Sequence, residues 1–436
     1  MESARSAAFA VLERCRKRGE WANEGLRKTL KGMDAREAAL ATRLVYGVLQ
    51  NRMLLDAYLA ELSTLPLEKL DQNVLDILRL GGYQLLFMDQ IPARAAVDEA
   101  VKLTKTRVKN PKTAGFVNAV LRNLDRQRDE LTKTIDGRWS KPEERWTRLS
   151  VQYSHPLWLV EEFAAQLNGD AEQVERLLAA NNAPAPMTVQ MNTCKTSIEE
   201  LVKTLAEEGV SAQKHPWMAD CLLLERTGDL EGLESFRRGL FYVQDPAARA
   251  AVLAAEPKAG ERVLDLCAAP GGKSFASAVA MGGEGEIISR DIYPWKIEEI
   301  KKGAARLGFS TIRAEVGDAT KPVDGSFDLV IADVPCSGLG IIGKKPDIRY
   351  KDPVQMQGLT AVQEQILENA GAAVKPGGRL LYATCTLRRE ENEARVAAFL
   401  SRSSGRFTLR REETLWPHRT GTDGFYYAVL EREAAV

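Results

Sequence analysis

The chain predicts a multidomain protein: an all-α N-terminal domain, a small α/β domain, and a C-terminal Rossmann-like, doubly wound α/β domain. Three observations carry this prediction. At 436 residues the chain is too long for one ordinary core. Its first part, to about residue 130, places apolar residues at helical spacing throughout. From Arg262 onward, short apolar runs alternate with helical segments, the pattern of a mostly parallel sheet.

Taken in order, Leu44, Val48, Leu55 and Leu59 share one helical face, as do Phe116, Val117, Val120, Leu121 and Leu124. Between them, VLDILRLGGYQLLFMDQIPARAAVDEAVKL carries a Gly-Gly break and a proline stop, predicting a helix, a turn and a second helix. The polar stretch 132–144 reads as a linker. Residues 145–241 are mixed, with helices at 156–167, 171–181 and 197–208 and a strand at 187–192. The alternating part follows as strands RVLDL, EIISR, TIRAEV, FDLVIA, RLLYAT and FYYAVL, with helices from Lys273, over 294–307, over 353–374 and over 390–400. Domains are therefore expected at 1–135, 145–240 and 241–436.

Composition narrows the function classes. Hydrophobic residues at 44% and charged residues at 28% are globular values. Sixty basic and sixty acidic side chains cancel, so no global charge drives the chain toward nucleic acid. Locally, residues 101–128 hold eight Lys/Arg against the single Asp125, either a solvated helix face or a surface that meets RNA. The N-terminus lacks a signal-peptide pattern and no long apolar run exists, which predicts a cytoplasmic protein with no membrane partner. Six cysteines without a C-x-x-C pair, and three histidines far in sequence from the glycine-rich loop, predict no metal, no disulfide framework and no Ser-His or Cys-His pair.

The segment LDLCAAPGGKS, 264–274, first suggests a phosphate-binding loop. That motif needs glycine where Cys267 stands, and Pro270 has no N–H to offer a phosphate. What remains is a strand, a tight turn of small residues and a helix, as in a nucleotide-binding βα unit. Ligands of doubly wound sheets bind beyond the carboxyl ends of the strands. There the sequence sets Cys267, Asp291, Asp318, Asp333, Cys336 and Cys385. Singly, each has a plain reading as a helix cap or a small buried residue; together on one rim they point to a site. Asp291 is placed to accept ribose hydroxyls and Asp318 an adenine amino group. With no cationic cluster to neutralise a pyrophosphate, S-adenosylmethionine fits better than a dinucleotide. Thiols beside such a cofactor suit methylation of a pyrimidine, because a thiolate adding to carbon 6 makes carbon 5 nucleophilic. A carboxyl group such as Asp333 would then bind the ring nitrogens of the base.

DLCAAPGGKS, DVPCSGLG and YATCTL together resemble the RNA cytosine-5 methyltransferases of the Nop/Sun type, as do YSHPLWLV, VQMNTCK and YVQDPAA upstream. LATRLVYGVLQNRMLLD, ILRLGGYQLL, IPARAAVDEAVKL and GFVNAVLRNL look like the RNA-binding antiterminator NusB. The resemblance covers nearly the whole chain and implies a NusB-like helical domain, a small RNA-recognition-like α/β domain and a methyltransferase domain. It implies 16S ribosomal RNA as substrate, before full subunit assembly, and a monomeric enzyme. It also implies cofactor contacts from Cys267, Ala268, Ala269, Pro270, Gly271, Gly272, Lys273, Asp291, Asp318 and Asp333, with Cys385 as the attacking thiol and Cys336 as the thiol assisting release. The chain departs from the family at Gln190, where arginine is frequent. Three other readings stay open: a non-catalytic RNA-binding assembly factor, action on another RNA such as tRNA, and a DNA-type enzyme with its nucleophile in Pro335-Cys336.

Overall fold

The computed structural model describes residues 3–110, 112–225 and 228–434. The chain divides into two compact units, Met1–Asn182 with Ile342–Lys351, and Ala183–Ile341 with Asp352–Val436.

The first unit is helical among its described residues. Its main helices are Ala4–Arg18, Ala35–Leu62, Gln72–Phe87, Ala93–Arg107 and Lys112–Arg138, followed by Arg145–Gln152, Leu157–Gln166 and Ala171–Asn182. Ser3, Asp34 and Asp71 cap three of these helices by accepting first-turn N–H groups. The predicted apolar faces meet in one core, where Leu44, Leu55, Leu59, Val117, Leu121 and Leu124 are fully buried. Two expectations fail here. Gly81-Gly82 does not break its helix: a Cβ at Gly81 would lie 2.5 Å from Leu121 Cδ1, so the residue is small to admit the neighbouring helix. The predicted linker also begins too early, because Leu131 and Ile135 bury on the core and carry the helix to Arg138. Ile342–Lys351 completes this unit. Arg349, with no exposed surface, directs Nη1 at the carbonyls of Gln50, Tyr153 and Ser154 and at Asn182 Oδ1, at 2.8–3.3 Å. Tyr350 donates to Leu49 O at 2.8 Å, and Asp347 accepts from Ala22 N–H at 2.8 Å.

The second unit contains two sheets. The smaller is antiparallel in the order β2-β3-β1-β4, with β1 Met187–Met191, β2 Ser211–Lys214, β3 Cys221–Glu225 and β4 Phe241–Val243. Val189, Leu222 and Phe241 pack on Leu201 and Leu205 of the helix Ile198–Glu207. Of its four strands only β1 was expected, since β2 and β4 are too short for an alternation to register.

The larger sheet comprises β5 Arg262–Asp265, β6 Glu286–Asp291, β7 Ile312–Val316, β8 Phe327–Asp333, β9 Val374–Thr384, β10 Phe407–Leu415 and β11 Phe425–Arg432. Its order is β10-β11-β9-β8-β5-β6-β7. β11 pairs antiparallel with both β9 and β10, and the remaining pairs are parallel. Alternation divides the strands between two cores. Val263, Ile287 and Leu329 face the helices Pro246–Ala254, Gly272–Ala280 and Pro294–Leu307. Leu264, Val330 and Leu380 face Leu359–Ala373 and Glu393–Arg402. The strand β10 was not expected: seven of its nine residues are exposed or half-buried, as suits a polar edge. The helix expected from residue 353 starts instead at Leu359, after a 3₁₀ turn and Gly358 at φ +93°.

Candidate functional site

Strand order reverses at β5, which has β6 on one side and β8 on the other; this is the switch point where doubly wound sheets bind ligands. Asp265 ends β5 and Asp333 ends β8. The turn after β5 is built for close approach. Gly271 sits at φ +112°, and a Cβ there would meet Phe275 Cζ at 2.4 Å. Ala268 N–H donates to Arg290 O at 2.8 Å, pinning the loop to the end of β6.

A cavity of about 190 Å³ opens at this turn, lined by Asp265, residues 267–270, Gly272, Lys273, Asp333 and Gln244. Lys273 spans the switch point. Its ammonium pairs with the Asp333 carboxylate and lies 5.0 Å from the centre of the Phe425 ring. Asp265 is fully buried. Its Oδ2 accepts from Ser274 Oγ at 2.8 Å, while Oδ1 has no hydrogen-bond partner. Burial pushes its carboxyl up to about 7. The Cys267 thiol is pushed up too, by burial and by the charge of Asp265.

The raised Asp265 gives a pH prediction. A carboxyl that holds its proton more tightly when folded favours the fold fully below its unfolded value near 4 and loses that contribution as pH rises through 7. Three units correspond to ~4 kcal/mol as an upper limit. Asp265→Asn should therefore gain several degrees of melting temperature over the parent at pH 8 and much less at pH 5. An equal gain at both pH values would show that the carboxylate carries no such cost.

Asp291 and Asp318 stand further along the rim, outside that cavity. Asp291 accepts from Tyr293 N–H at 3.1 Å and has Lys296 Nζ 3.5 Å away. Asp318 accepts from the Thr320 hydroxyl and N–H at 2.7 and 2.9 Å, which hold its carboxyl below the usual range. On the other side, the turns after β8 and β9 bring Cys336 and Cys385 together, with sulfurs 3.2 Å apart. The hydrogen bond with Cys385, and then burial, raise the Cys336 thiol well above its ordinary value. Glycines permit this approach. A Cβ at Gly340 would lie 1.9 Å from Gly424 O, and Gly340 N–H donates to Cys385 O at 2.9 Å.

Sequence reasoning missed several residues around these groups. Gln244 and Phe425 face the Lys273 side, the first from the motif YVQDPAA, to whose glutamine no role was given, and the second from a segment read only as a strand. Ser337, Gln363, Thr384, Thr386, Glu391 and Asn392 form a buried polar network behind the thiols. Its one signal was the acidic and amide run that follows TCTL, which was read as a helix start. Gln190, the family departure, is buried and donates to Gln244 O at 3.1 Å. A larger cavity of about 760 Å³, lined by Trp217, Arg249, Arg410 and Tyr427 among others, contains none of the expected site residues. Among the described residues no cluster of His, Cys, Asp or Glu could hold a metal, and no helix is long and apolar enough to cross a membrane.

Three family models match the chain: the NusB family over residues 2–126, the RsmF/B-like ferredoxin-like domain over 155–231, and the 16S rRNA methyltransferase RsmB/F over 252–431. The probable ribosomal RNA small subunit methyltransferase B of Bacillus subtilis is 33% identical, with 99% of each chain covered. The ribosomal RNA small subunit methyltransferase B of Erwinia tasmaniensis is 32% identical, also over 99% of each. Among solved structures, the crystal structure of PH0851 superposes with a TM-score of 0.78 at 26% identity, covering 98% of both chains.

Proposed function

Because the chain belongs to the family of ribosomal RNA small subunit methyltransferase B, we propose that it methylates carbon 5 of a cytosine in 16S ribosomal RNA through a covalent cysteine adduct, with S-adenosylmethionine as methyl donor. The observation that carries this reading is the pair of thiols 3.2 Å apart beside the glycine turn at the switch point. The turn suits the donor: it has a close-approach glycine, an unpartnered Asp265 oxygen and a Lys273 already neutralised by Asp333. Residues 267–273 would cradle the donor, Asp291 its ribose and Asp318 its adenine. When bound, it supplies an electrophilic methyl group.

The chain's own groups do the rest. Cys385 adds to carbon 6 of the base, giving carbon 5 the electron density to take the methyl. Asp333 binds the ring nitrogens where charge develops. The carbon 5 proton then passes to water, its bonding electrons re-form the 5,6 double bond, and Cys385 leaves as a thiolate, a departure that Cys336 assists by donating its S–H hydrogen bond to the leaving sulfur. The raised Cys336 thiol supports this division, since a thiol that holds its proton is better suited to assist release than to attack. We further propose that residues 1–135, 145–240 and 241–436 serve as RNA-binding, RNA-orienting and catalytic parts of a cytoplasmic monomer that acts before the subunit is fully assembled. Mass spectrometry of 16S RNA from a deletion strain tests the function. One 5-methylcytidine should be lost and restored by the intact gene but not by Cys385→Ala; an unchanged RNA would point to a binding role or another substrate.

Two narrower outcomes follow from the same reading. Losing a charge-assisted hydrogen bond costs about 1.5–3 kcal/mol, so Asp291→Ala should weaken S-adenosylmethionine binding roughly ten- to a hundredfold. Unchanged calorimetric affinity in a folded mutant would remove Asp291 from the site. The eight cations of residues 101–128 are all exposed. Neutralising Lys105, Arg107, Lys109 and Lys112 together should weaken RNA binding and flatten its salt dependence, whereas an unchanged slope would make this a solvated face only.

A further inference from the structure

The polar network behind the thiols is arranged around them residue by residue. Glu391 has no exposed surface, and its Oε2 accepts from Ser337 N–H and from Gln363 Nε2, each at 2.9 Å. Gln363 Nε2 also donates to Pro335 O at 2.9 Å. The two neighbours of Cys336, Pro335 and Ser337, are thus both held. Asn392 does the same for Cys385: its Oδ1 accepts from Thr384 Oγ1 at 2.6 Å and its Nδ2 donates to Thr386 O at 3.0 Å. The Ser337 and Thr386 hydroxyls join the two turns at 2.7 Å, and Tyr382 donates to Glu391 O at 2.6 Å.

We propose that Glu391 and Asn392, with Gln363, are positioning residues of the two-thiol site, a clamp that fixes both flanks of each cysteine so that the sulfurs face one another. The inference rests on the proposed reaction only for its catalytic consequence. A network that merely stabilised the fold would have no reason to hold the residues on either side of both thiols. The choice of a carboxylate is also informative. Burying a charge is expensive, and Arg388 Nη1 at 3.6 Å from Oε1 compensates it only at a distance. The hydrogen bond with Cys385 and burial come first in holding the Cys336 proton, and the nearby Glu391 and Asp333 carboxyl groups act in the same direction. Glu391 would therefore place Cys336 through Ser337 and Gln363 and add to the effects that hold its proton.

Two readouts that need neither RNA nor methyl transfer test the clamp in the full-length protein. In the first, diamide takes two electrons and two protons from the thiols, forming the Cys336–Cys385 disulfide and the reduced hydrazine, and peptide mapping follows the rate. Asn392→Ala and Gln363→Leu should slow this crosslink at least tenfold while circular dichroism shows a folded protein. In the second, iodoacetamide alkylation of Cys336 is followed against pH in a Cys385→Ala background. There Glu391→Gln should increase the rate at pH 8 at least threefold, and Arg388→Gln should decrease it. The opposite signs are something a general loss of stability would not produce, and Arg388→Gln carries the test if the glutamine variant does not fold. Parental crosslinking rates in folded Asn392→Ala and Gln363→Leu, or pH profiles that do not move, would overturn the proposal. Because these measurements ignore RNA, their failure stays separate from a failure to find the lost 5-methylcytidine.

Discussion

Cys336→Ala is expected to accumulate a protein–RNA complex that survives denaturing electrophoresis and requires S-adenosylmethionine to form, while Cys385→Ala forms none and methylates nothing. The asymmetry follows from the proposed roles. Without Cys385 no bond to carbon 6 can form, so the rate should fall to background. Without Cys336 the attack and the methyl gain still occur, but Cys385 leaves slowly and the adduct persists. The double variant should show no complex. With the sulfurs only 3.2 Å apart, either could reach one base, so position alone does not settle the order. A stable complex in Cys385→Ala and none in Cys336→Ala would make Cys336 the nucleophile and return the chemistry to the DNA-enzyme type.

The second large effect concerns stability. Arg349→Met should cost the helical unit about 1.5–3 kcal/mol, the range for losing hydrogen bonds made by a charged group. The guanidinium has no exposed surface and is the shared donor to Gln50 O, Tyr153 O, Ser154 O and Asn182 Oδ1. Methionine matches its length but donates to none of them; Tyr153 O keeps Asn182 Nδ2 as a donor and Ser154 O keeps the Tyr350 hydroxyl, while Gln50 O and Asn182 Oδ1 lose the Arg349 bond. Burial already pulls the guanidinium down to about 10, a measure of how much the site asks of its partners. Thermal denaturation should show the loss as a shift of roughly 5 °C, with Arg349→Lys recovering part of it. A methionine variant melting at the parental temperature would mean that packing alone holds the segment.

The C-terminal sheet was legible because β5, β6, β8 and β9 carry apolar runs that end in a polar residue, while β7, exposed or half-buried throughout, was legible only from its place in the alternation. Spacing alone placed Cys267, Asp291, Asp318, Asp333, Cys336 and Cys385 at strand ends; the close pairing of two of them depends on Gly340 and Gly424, whose contact is 84 positions apart in sequence and invisible to local pattern. Glu391 and Asn392 were illegible for a different reason. A polar residue just before a helix usually reads as a cap, and only the folded chain shows that these side chains turn inward. Gly81 failed in the reverse sense, since a residue that reads as a break by propensity is retained for close packing against Leu121. No periodicity could have shown that Ile342–Lys351 belongs with the helices.

That ten-residue segment has a consequence during synthesis on the ribosome. The helical unit is complete only when residue 351 has been made, although its first 182 residues are made long before. Nascent domains generally fold in order of emergence, but here the Arg349 site must wait while residues 183–341 are translated. At ~5–20 residues per second that delay is roughly 8–30 seconds, during which the carbonyls of Gln50, Tyr153 and Ser154 lack the Arg349 donor. A fragment ending at Asn182 thus corresponds to the state of the unit before the Arg349 and Tyr350 donors have been made.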